Sequence, residues 1–564
     1  NRCGDGPAES KASAIVFMLV ILLTSVTLGN VISKYKFPYL PESGMFVIVG
    51  VASGFIAYKV FGVEERSIDE DTFFLYLLPP IIFQSSAFAP SKTLLFSNLP
   101  SIIVLAVIGT VMCMLIIGAL VFVSGLLPAT ESLLWGSLIS AVDPIAVLAV
   151  FSNYGIDPQL SCIVFGESMA NDGVAVVLFQ ASKDFLNLEL SGEVFNLMVS
   201  KFFKVFFGST LIGLASGLLI AFITRHVTFH YGGAQAEMVA ITCLSFIPYY
   251  VCQALEWSGI VGLMFEALVF QLYTWHNISL ESKQHLEFTF EVLASSMETA
   301  IFVYLGFSMY MDTPFYTWTA KAVSVAISAC VFSRFVMTFT LIPLANMFRI
   351  EKVELKNQLM FWYSGLRGAI GFALVTNIPR YDPISEKGTK YADELNMLTS
   401  SVIIFTIFVQ GGLVLPVMQY LDINMTGAYA EPEEEKTADE SDEYEYEDTA
   451  GFGAVHRFFN NKIHLKYLKP FLVRSLPVEV EIEDQYFTGY AKPERKLSQA
   501  TFNLVSNFEE KKSIRRQSLT HTRVRSYGTN GTRSPAISPV SARRQKSGSL
   551  DSRPRRGSRG SPFN

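Results

Sequence analysis

The chain is 564 residues long and half hydrophobic, and only 17% of it is charged. Soluble domains are about 25% charged, so a single soluble globular body is excluded for most of its length. A net charge of −6 hides an uneven distribution of charge and says nothing about nucleic acid, which is not an expected partner.

Hydropathy and charge are unevenly placed. From Ala12 to Tyr420, apolar runs alternate with short polar breaks; after Asp422 the sequence turns charged and Ser-rich. The expected organisation is a membrane domain over 1–425, an acidic linker over 426–450, a cytosolic regulatory segment over 451–510, and an Arg/Ser-rich tail over 511–564 whose composition favours disorder. The cysteines are Cys3, Cys113, Cys162, Cys243, Cys252 and Cys330. They form neither a CxxC nor a Cys/His cluster, so no disulfide framework, zinc site or cofactor is expected. Asn1 stands where an initiator Met would, so a truncated or processed N-terminus is expected.

An α-helix needs about 20 apolar residues to cross a bilayer. By that measure about thirteen spans are predicted, near 12–33, 43–62, 71–89, 97–126, 131–151, 160–183, 198–225, 233–255, 257–275, 284–311, 317–347, 355–379 and 396–421. An odd number puts the termini on opposite sides, and the basic, Ser-rich tail is placed in the cytosol. Predicted inner loops hold Lys34, Lys36, Lys92, Arg225, Lys283, Arg349, Lys352 and Lys356, while the outer loop after span 2 holds Glu64, Glu65, Asp69, Glu70 and Asp71. Outer loops also carry Lys183, Arg380, Lys387 and Lys390, so the positive-inside bias is moderate. The sequon Asn277-Ile278-Ser279 falls in an inner loop and is expected to stay unmodified.

Several spans are interrupted. Span 3 holds Pro79-Pro80, and span 5 holds Asp143-Pro144 within Ser140–Val147. Proline removes a backbone donor and clashes with the preceding turn. Span 12 reads Gly365-Leu366-Arg367-Gly368-Ala369-Ile370-Gly371. Its glycines mark either a broken helix or close helix packing. Spans 5 and 12 lie seven apart and enter the membrane from opposite sides. Interrupted helices at matching places in inverted halves point to a transporter's midplane site. Broken ends expose groups worth about half a charge each, which the acid Asp143 and the base Arg367 would neutralise.

Span 6 carries two carboxylates at membrane depth, in Phe165-Gly166-Glu167-Ser168-Met169-Ala170-Asn171-Asp172-Gly173. Intramembrane acids are costly and mark ion or proton sites by default; the alternative is a structural ion pair between helices. Arg334, deep in span 11, cannot shed its charge and needs a carboxylate, for which Glu167 is the candidate. On a helix Glu167 and Asn171 share a face, Ser168 and Asp172 the next, and Glu167 and Asp172 point about 140° apart. One acid is then tied up by Arg334 while the other faces a cavity. Glu266, Glu291 and Glu298 either line a pathway, sit near the membrane surface, or pair with other groups.

In the tail, the acidic run Glu431–Asp448 reads as a solvated spacer. After it, Phe458, Phe459, Ile463, Leu465 and Leu468 fall on one helical side with lysines opposite. Such a basic amphipathic helix suits a membrane surface or a calmodulin-like groove. Arg515-Arg516-Gln517-Ser518 has the form of a basic-directed phosphorylation site at Ser518.

Taken in order, Pro41-Glu42-Ser43, Leu77-Leu78-Pro79-Pro80-Ile81-Ile82-Phe83, Ala141-Val142-Asp143-Pro144, Phe165-Gly166-Glu167-Ser168 with Asn171-Asp172, and Gly365-Leu366-Arg367-Gly368 resemble the eukaryotic sodium/proton exchanger family of cation/proton antiporters. The resemblance spans nearly all of the membrane domain. It implies an all-α, thirteen-helix fold of inverted repeats with two crossed broken helices, a dimerisation domain and a mobile core domain, and a homodimer. It implies that Asp172 carries the cation and the proton with Asn171 beside it, that Glu167 pairs with Arg334, and that the tail helix docks a calcineurin B-like protein. Met169-Ala170, Gly173 and Glu266 depart from the family's usual residues and leave cation preference and subfamily open.

The expected function is therefore electroneutral exchange of one Na⁺, K⁺ or Li⁺ for one H⁺ by alternating access, regulating pH and cell volume from a plasma or endosomal membrane. Burial and neighbouring charge tune such a carboxylate; deprotonated it would hold Na⁺, and protonated it would release it. Oxygen ligands suit a hard cation, and Asp172, the Asn171 amide, Ser168, backbone carbonyls and water would supply them. Three rivals stand beside this reading. A cation channel would need rings of acids around a pore. An intramembrane protease could use Asp143 and Asp172 but leaves Arg334 without a role. A non-transporting sensor could be built on the same fold.

Overall fold

The computed structural model describes residues 7–35, 40–61, 73–88, 92–143, 145–186, 191–227, 233–311, 319–347, 352–381, 388–423 and 468–474. Among these the backbone is helical almost throughout, and an isolated bridge between Arg380 and Thr389 is the exception. Apolar runs explain this: without water, backbone N–H and C=O groups must be satisfied inside the segment, and a helix does that.

In chain order the helices are α1 (Pro7–Tyr35), α2 (Glu42–Ile56), α3 (Leu78–Ala87), α4 (Lys92–Ile103), α5 (Gly109–Val123), α6 (Ala129–Ile139) and α7 (Ile145–Tyr154). They continue with α8 (Pro158–Lys183), α9 (Gly192–His226), α10 (Gly233–Ala254), α11 (Gly259–Val269) and α12 (Leu280–Met311). The last are α13 (Ala320–Asn346), α14 (Leu355–Tyr363), α15 (Ala369–Thr376), α16 (Ala392–Ile404), α17 (Val414–Tyr420) and α18 (Lys469–Leu472). Seven helical stretches among the described residues are long and apolar enough to cross a membrane unaided, including Asn98–Val123, α8, α9 and Ala392–Gly411. The protein is thus an all-α polytopic membrane protein.

Local chemistry sets where helices start. Asp157 accepts a hydrogen bond from Gln159 N at 2.9 Å and Pro158 follows it, a cap and a proline at the first helical position. Ser191, Ser258 and Thr319 cap α9, α11 and α13 in the same way. Helices also widen into π turns, at Phe73–Leu77 before α3, Val104–Ile108 between α4 and α5, Phe270–Thr274 after α11 and Phe405–Gly411 after α16. Pro79 and Pro80 do not break span 3. They sit in the first turn of α3 behind the π turn, and the hydroxyls of Tyr249 and Tyr250 donate to the carbonyls of Phe74 and Leu75 that the prolines leave open.

Spans 5 and 12 are interrupted where the sequence indicates. α6 ends at Ile139 and α7 starts at Ile145, and α14 ends at Tyr363 and α15 starts at Ala369. Gly371 lies inside α15, so the break covers Gly365 and Gly368 but not the third glycine.

The helices sort by packing into two groups. α1, α2, α3, α10, α11 and α12 pack on one another, with α9 against α10 and α11. α4, α5, α6, α8, α13, α14, α15 and α16 form the other group, which α8 joins to α9 and α11. In the first group α2 and α12 meet backbone to backbone. A Cβ at Gly306 would lie 2.1 Å from the Val47 carbonyl oxygen, and one at Gly50 would lie 2.1 Å from that of Val303. Small residues permit such contact in membranes. Gly306→Leu is therefore expected to cost about 1–3 kcal/mol by overpacking, seen as a lower melting temperature of the purified protein in detergent; an unchanged melting temperature would refute this contact.

Candidate ion site at the crossing of two broken helices

The two interruptions cross and bond to each other. Asp143 N donates to Leu366 O at 3.0 Å. From the opposite break, Arg367 Nη1 donates to Ser140 O at 2.6 Å and Ala141 O at 3.0 Å. Those carbonyls lie just past the end of α6, where a helix exposes acceptors and partial negative charge. Asp143 lies against Gly368, the residue before α15: a Cβ there would fall 1.9 Å from its Oδ2. The position requires glycine for this approach, and it sets a carboxylate at the positive start of α15.

Thr406, in the π turn after α16, holds the second break. Its hydroxyl accepts from Arg367 N at 3.2 Å and lies 3.1 Å from the Arg367 and Ile403 carbonyls. No local sequence signal singles out this threonine, because its partner is distant in the chain. Glu131, in the first turn of α6, is likewise buried, with Thr130 at 2.9 Å and Thr389 at 3.3 Å donating to it.

α8 runs alongside. It is the most enclosed of the seven apolar spans, with 78% of its apolar stretch buried inside the protein. Glu167 is fully buried and accepts from Arg334 Nη1 at 2.7 Å and Nη2 at 3.0 Å. Two parallel N–H···O bonds give this pair its strength and its fixed geometry. The guanidinium stacks 4.6 Å from the centre of the Phe361 ring, and Gly365 leaves room for it, since a Cβ there would sit 2.8 Å from Nε.

One turn on, Asn171 Nδ2 donates to Glu167 Oε1 at 3.0 Å, and Asn171 Oδ1 accepts from Val142 N at 3.3 Å. Ser168 Oγ donates to the carbonyl of Val142. Both polar backbone groups of Val142 are therefore satisfied by α8, and Ser168 and Asn171 are themselves fully buried. In this conformation the two residues expected beside a cation stitch α8 to the first break.

Asp172 differs from these neighbours. It is only half-buried, and the charges of Asp143, Glu167 and Arg367 act on it. Glu298 on α12 is also half-buried and is within electrostatic reach of Asp143 and of the exposed Glu42. Glu291 is exposed. Glu266 on α11 is fully buried, and neither of its carboxylate oxygens has a hydrogen-bond partner among the described residues. Of the tail residues, Phe458, Phe459, Ile463, Leu465 and Ser518 lie outside the described residues. Leu468 packs against an apolar cluster of Ala221, Val269, Tyr273 and Leu472.

The family described as "Sodium/hydrogen exchanger, transmembrane" matches residues 18–420. Sodium/hydrogen exchanger 5 of Arabidopsis thaliana is 32% identical over 435 residues, covering 74% of this chain and 81% of its own. Sodium/hydrogen exchanger 8 of Rattus norvegicus is 31% identical, covering 74% and 73%. Among solved structures, the sodium proton antiporter MjNhaP1 from Methanocaldococcus jannaschii superposes with a TM-score of 0.56 at 18% identity, over 73% of this chain and 99% of that one. That likeness is one of fold.

A buried ion pair broken on one side leaves an uncompensated charge, at a cost of about 3–5 kcal/mol. Arg334→Met is expected to destabilise the protein by that amount, and adding Glu167→Gln to it should recover part of the loss. Thermal unfolding of both variants in detergent checks this; equal destabilisation by the single and double substitution would contradict the pairing.

Proposed function

This chain belongs to the sodium/hydrogen exchanger family, and we propose that it exchanges one Na⁺ for one H⁺ with no net charge movement, at Asp172. The observation that carries this reading is the unequal state of the two carboxylates on α8. Glu167 is sealed and neutralised by Arg334, whereas Asp172 is half-buried on the same enclosed helix. One carboxylate then remains to be occupied by either a proton or a cation.

The geometry suggests how the site works. Arg367 and Asp143 neutralise the broken ends, so the loose backbone beside Asp172 persists at membrane depth. Its carbonyls, with Asp172 and water, offer hard oxygen ligands. Ser168 and Asn171 would join them only if their bonds to Val142 open, which makes those bonds a switch between arrangements of the first break. K⁺ or Li⁺ would be held by the same oxygen chemistry. We further propose that the shorter and interrupted helices also cross the membrane, giving thirteen spans. In this reading the protein is a homodimer, its tail is cytosolic, and the amphipathic segment over 455–469 docks a calcineurin B-like or calmodulin-like protein.

Asp172→Asn keeps the side chain's size and removes its charge. Reconstituted in vesicles, that variant is expected to lose Na⁺-driven proton flux at least a hundred-fold, while the unsubstituted protein moves protons without current at clamped voltage. Retained exchange in Asp172→Asn would overturn the assignment of the site, and a steady current would overturn the one-for-one stoichiometry.

A further inference from the structure

Residues 468–474 return to the helical domain 45 positions after the last described residue before them, Ile423, and they bind it in a fixed register. Leu472 is 3% exposed and seats among Ala221, Val269 and Tyr273, and Leu468 and Val473 pack on the same cluster with Leu218 and Leu272. The Phe471 ring stacks on Phe222, with centroids 5.5 Å apart and planes 29° apart. These apolar contacts give attraction but little direction.

Direction comes from hydrogen bonds. Asn277 is buried, and its Nδ2 donates to Leu472 O at 2.8 Å, Ala221 O at 3.1 Å and Thr224 Oγ1 at 3.2 Å. Its Oδ1 accepts from Arg474 N at 2.7 Å. One amide thus reads two peptide groups of the segment and the last turns of α9. The Arg474 guanidinium donates to Arg225 O at 2.7 Å and 3.1 Å, and to Thr224 O at 3.4 Å. These are terminal carbonyls of α9, which a helix leaves unpaired and which favour a cation. Arg225 returns a hydrogen bond to the carbonyl of Pro470.

We propose that the last turns of α9, the π turn after α11 and Asn277 form a receptor that anchors the tail through residues 468–474. Every receptor residue lies on α9 or between Val269 and Asn277; none lies on α4 to α8 or α13 to α16. The segment therefore rides on one packing group and does not strap the two together. It is an anchor and not a brake on their relative movement. Two consequences follow. The Asn277 sequon is consumed by the receptor, because a glycan on Nδ2 would displace Leu472 and Thr224. A partner that takes Leu468 into its own groove must first lift it from the Ala221, Val269, Tyr273 and Leu472 cluster, so partner capture and anchoring compete.

Cross-linking tests the anchor without relying on transport. All native cysteines precede residue 331, so the tail offers no thiol of its own. The full-length protein carrying Phe222→Cys and Phe471→Cys, with a protease site inserted among residues 430–450, is treated in membranes with a short bis-maleimide and then cleaved. The tail fragment is expected to stay attached to the helical domain, and a protein carrying only one of the two cysteine substitutions should release it. Adding Arg474→Ala, or separately Asn277→Asp, should lower the linked fraction about ten-fold, the factor carried by one charge-assisted hydrogen bond. Arg474 lies outside the helical groups, so its loss leaves their folding intact and keeps the test open if Asn277→Asp misfolds. Cation-driven proton flux of Arg474→Ala should stay within two-fold of the parent. Absence of the linked product in the double-cysteine protein overturns the anchor. Full linkage in Arg474→Ala overturns the role of its cap, and a flux change beyond two-fold overturns an anchor in favour of a brake.

Discussion

The structure turns on two short stretches of non-helical backbone held mostly buried among the helices. Residues 140–143 and 364–368 interrupt helices inside a membrane domain, and each leaves carbonyls and N–H groups without a helical partner. Unsatisfied, each such group costs several kcal/mol in hydrocarbon. The fold answers by crossing the two breaks. Arg367 from one covers the carbonyls that end α6, Asp143 N bonds Leu366 O, Thr406 brackets Arg367, and Ser168 and Asn171 of α8 take both polar groups of Val142. Most of the buried polar side chains in this region are there to complete that accounting.

This explains why α8 must be so polar a helix in so enclosed a place. It carries Glu167, Ser168, Asn171 and Asp172 in six residues. Three of them are committed: Glu167 to Arg334, Asn171 to Glu167 and Val142, and Ser168 to Val142. The carboxylate of Asp172 is the member of the set that stays half-buried. Commitment of the three is what makes the fourth distinctive, and under the proposed exchange it leaves Asp172 as the acid that chooses between proton and cation. Under the same proposal the Glu167–Arg334 pair serves the ion chemistry without binding an ion, because it removes a second charge that would otherwise compete for the cation.

Much of this was legible in the sequence because the membrane makes charge expensive. An arginine and a glutamate at membrane depth in separate spans need each other, and Arg334 and Glu167 lie 2.7 Å apart. Asp143-Pro144 and the glycines around Arg367 signal broken helices, because proline and glycine act on the backbone at their own positions. Other features left no local trace. Thr406 looks like any helical threonine until Arg367 is folded against it. Gly368 looks like a packing glycine until Asp143 is seen to occupy the space of its missing Cβ. The π turns depend on how a helix must bend to meet distant neighbours, which no window of sequence encodes. Asn277 shows the limit most clearly. As a tripeptide it spells a glycosylation site, and only tertiary contacts make it a hydrogen-bonding hub.

The same reasoning separates Glu266 from the other intramembrane acids. Asp143 and Asp172 lie where broken helices supply carbonyls, N–H groups and a guanidinium, and Glu167 has its own arginine. Glu266 sits on an unbroken stretch of α11, packed with α9 and α10, with no hydrogen-bond partner for either oxygen among the described residues. Among the described residues it meets neither a cation nor an opened stretch of backbone. Glu266 is nonetheless as deeply buried as Glu167. Depth alone therefore does not separate these acids; opened backbone and compensating charge lie near Asp172, and among the described residues neither lies beside Glu266.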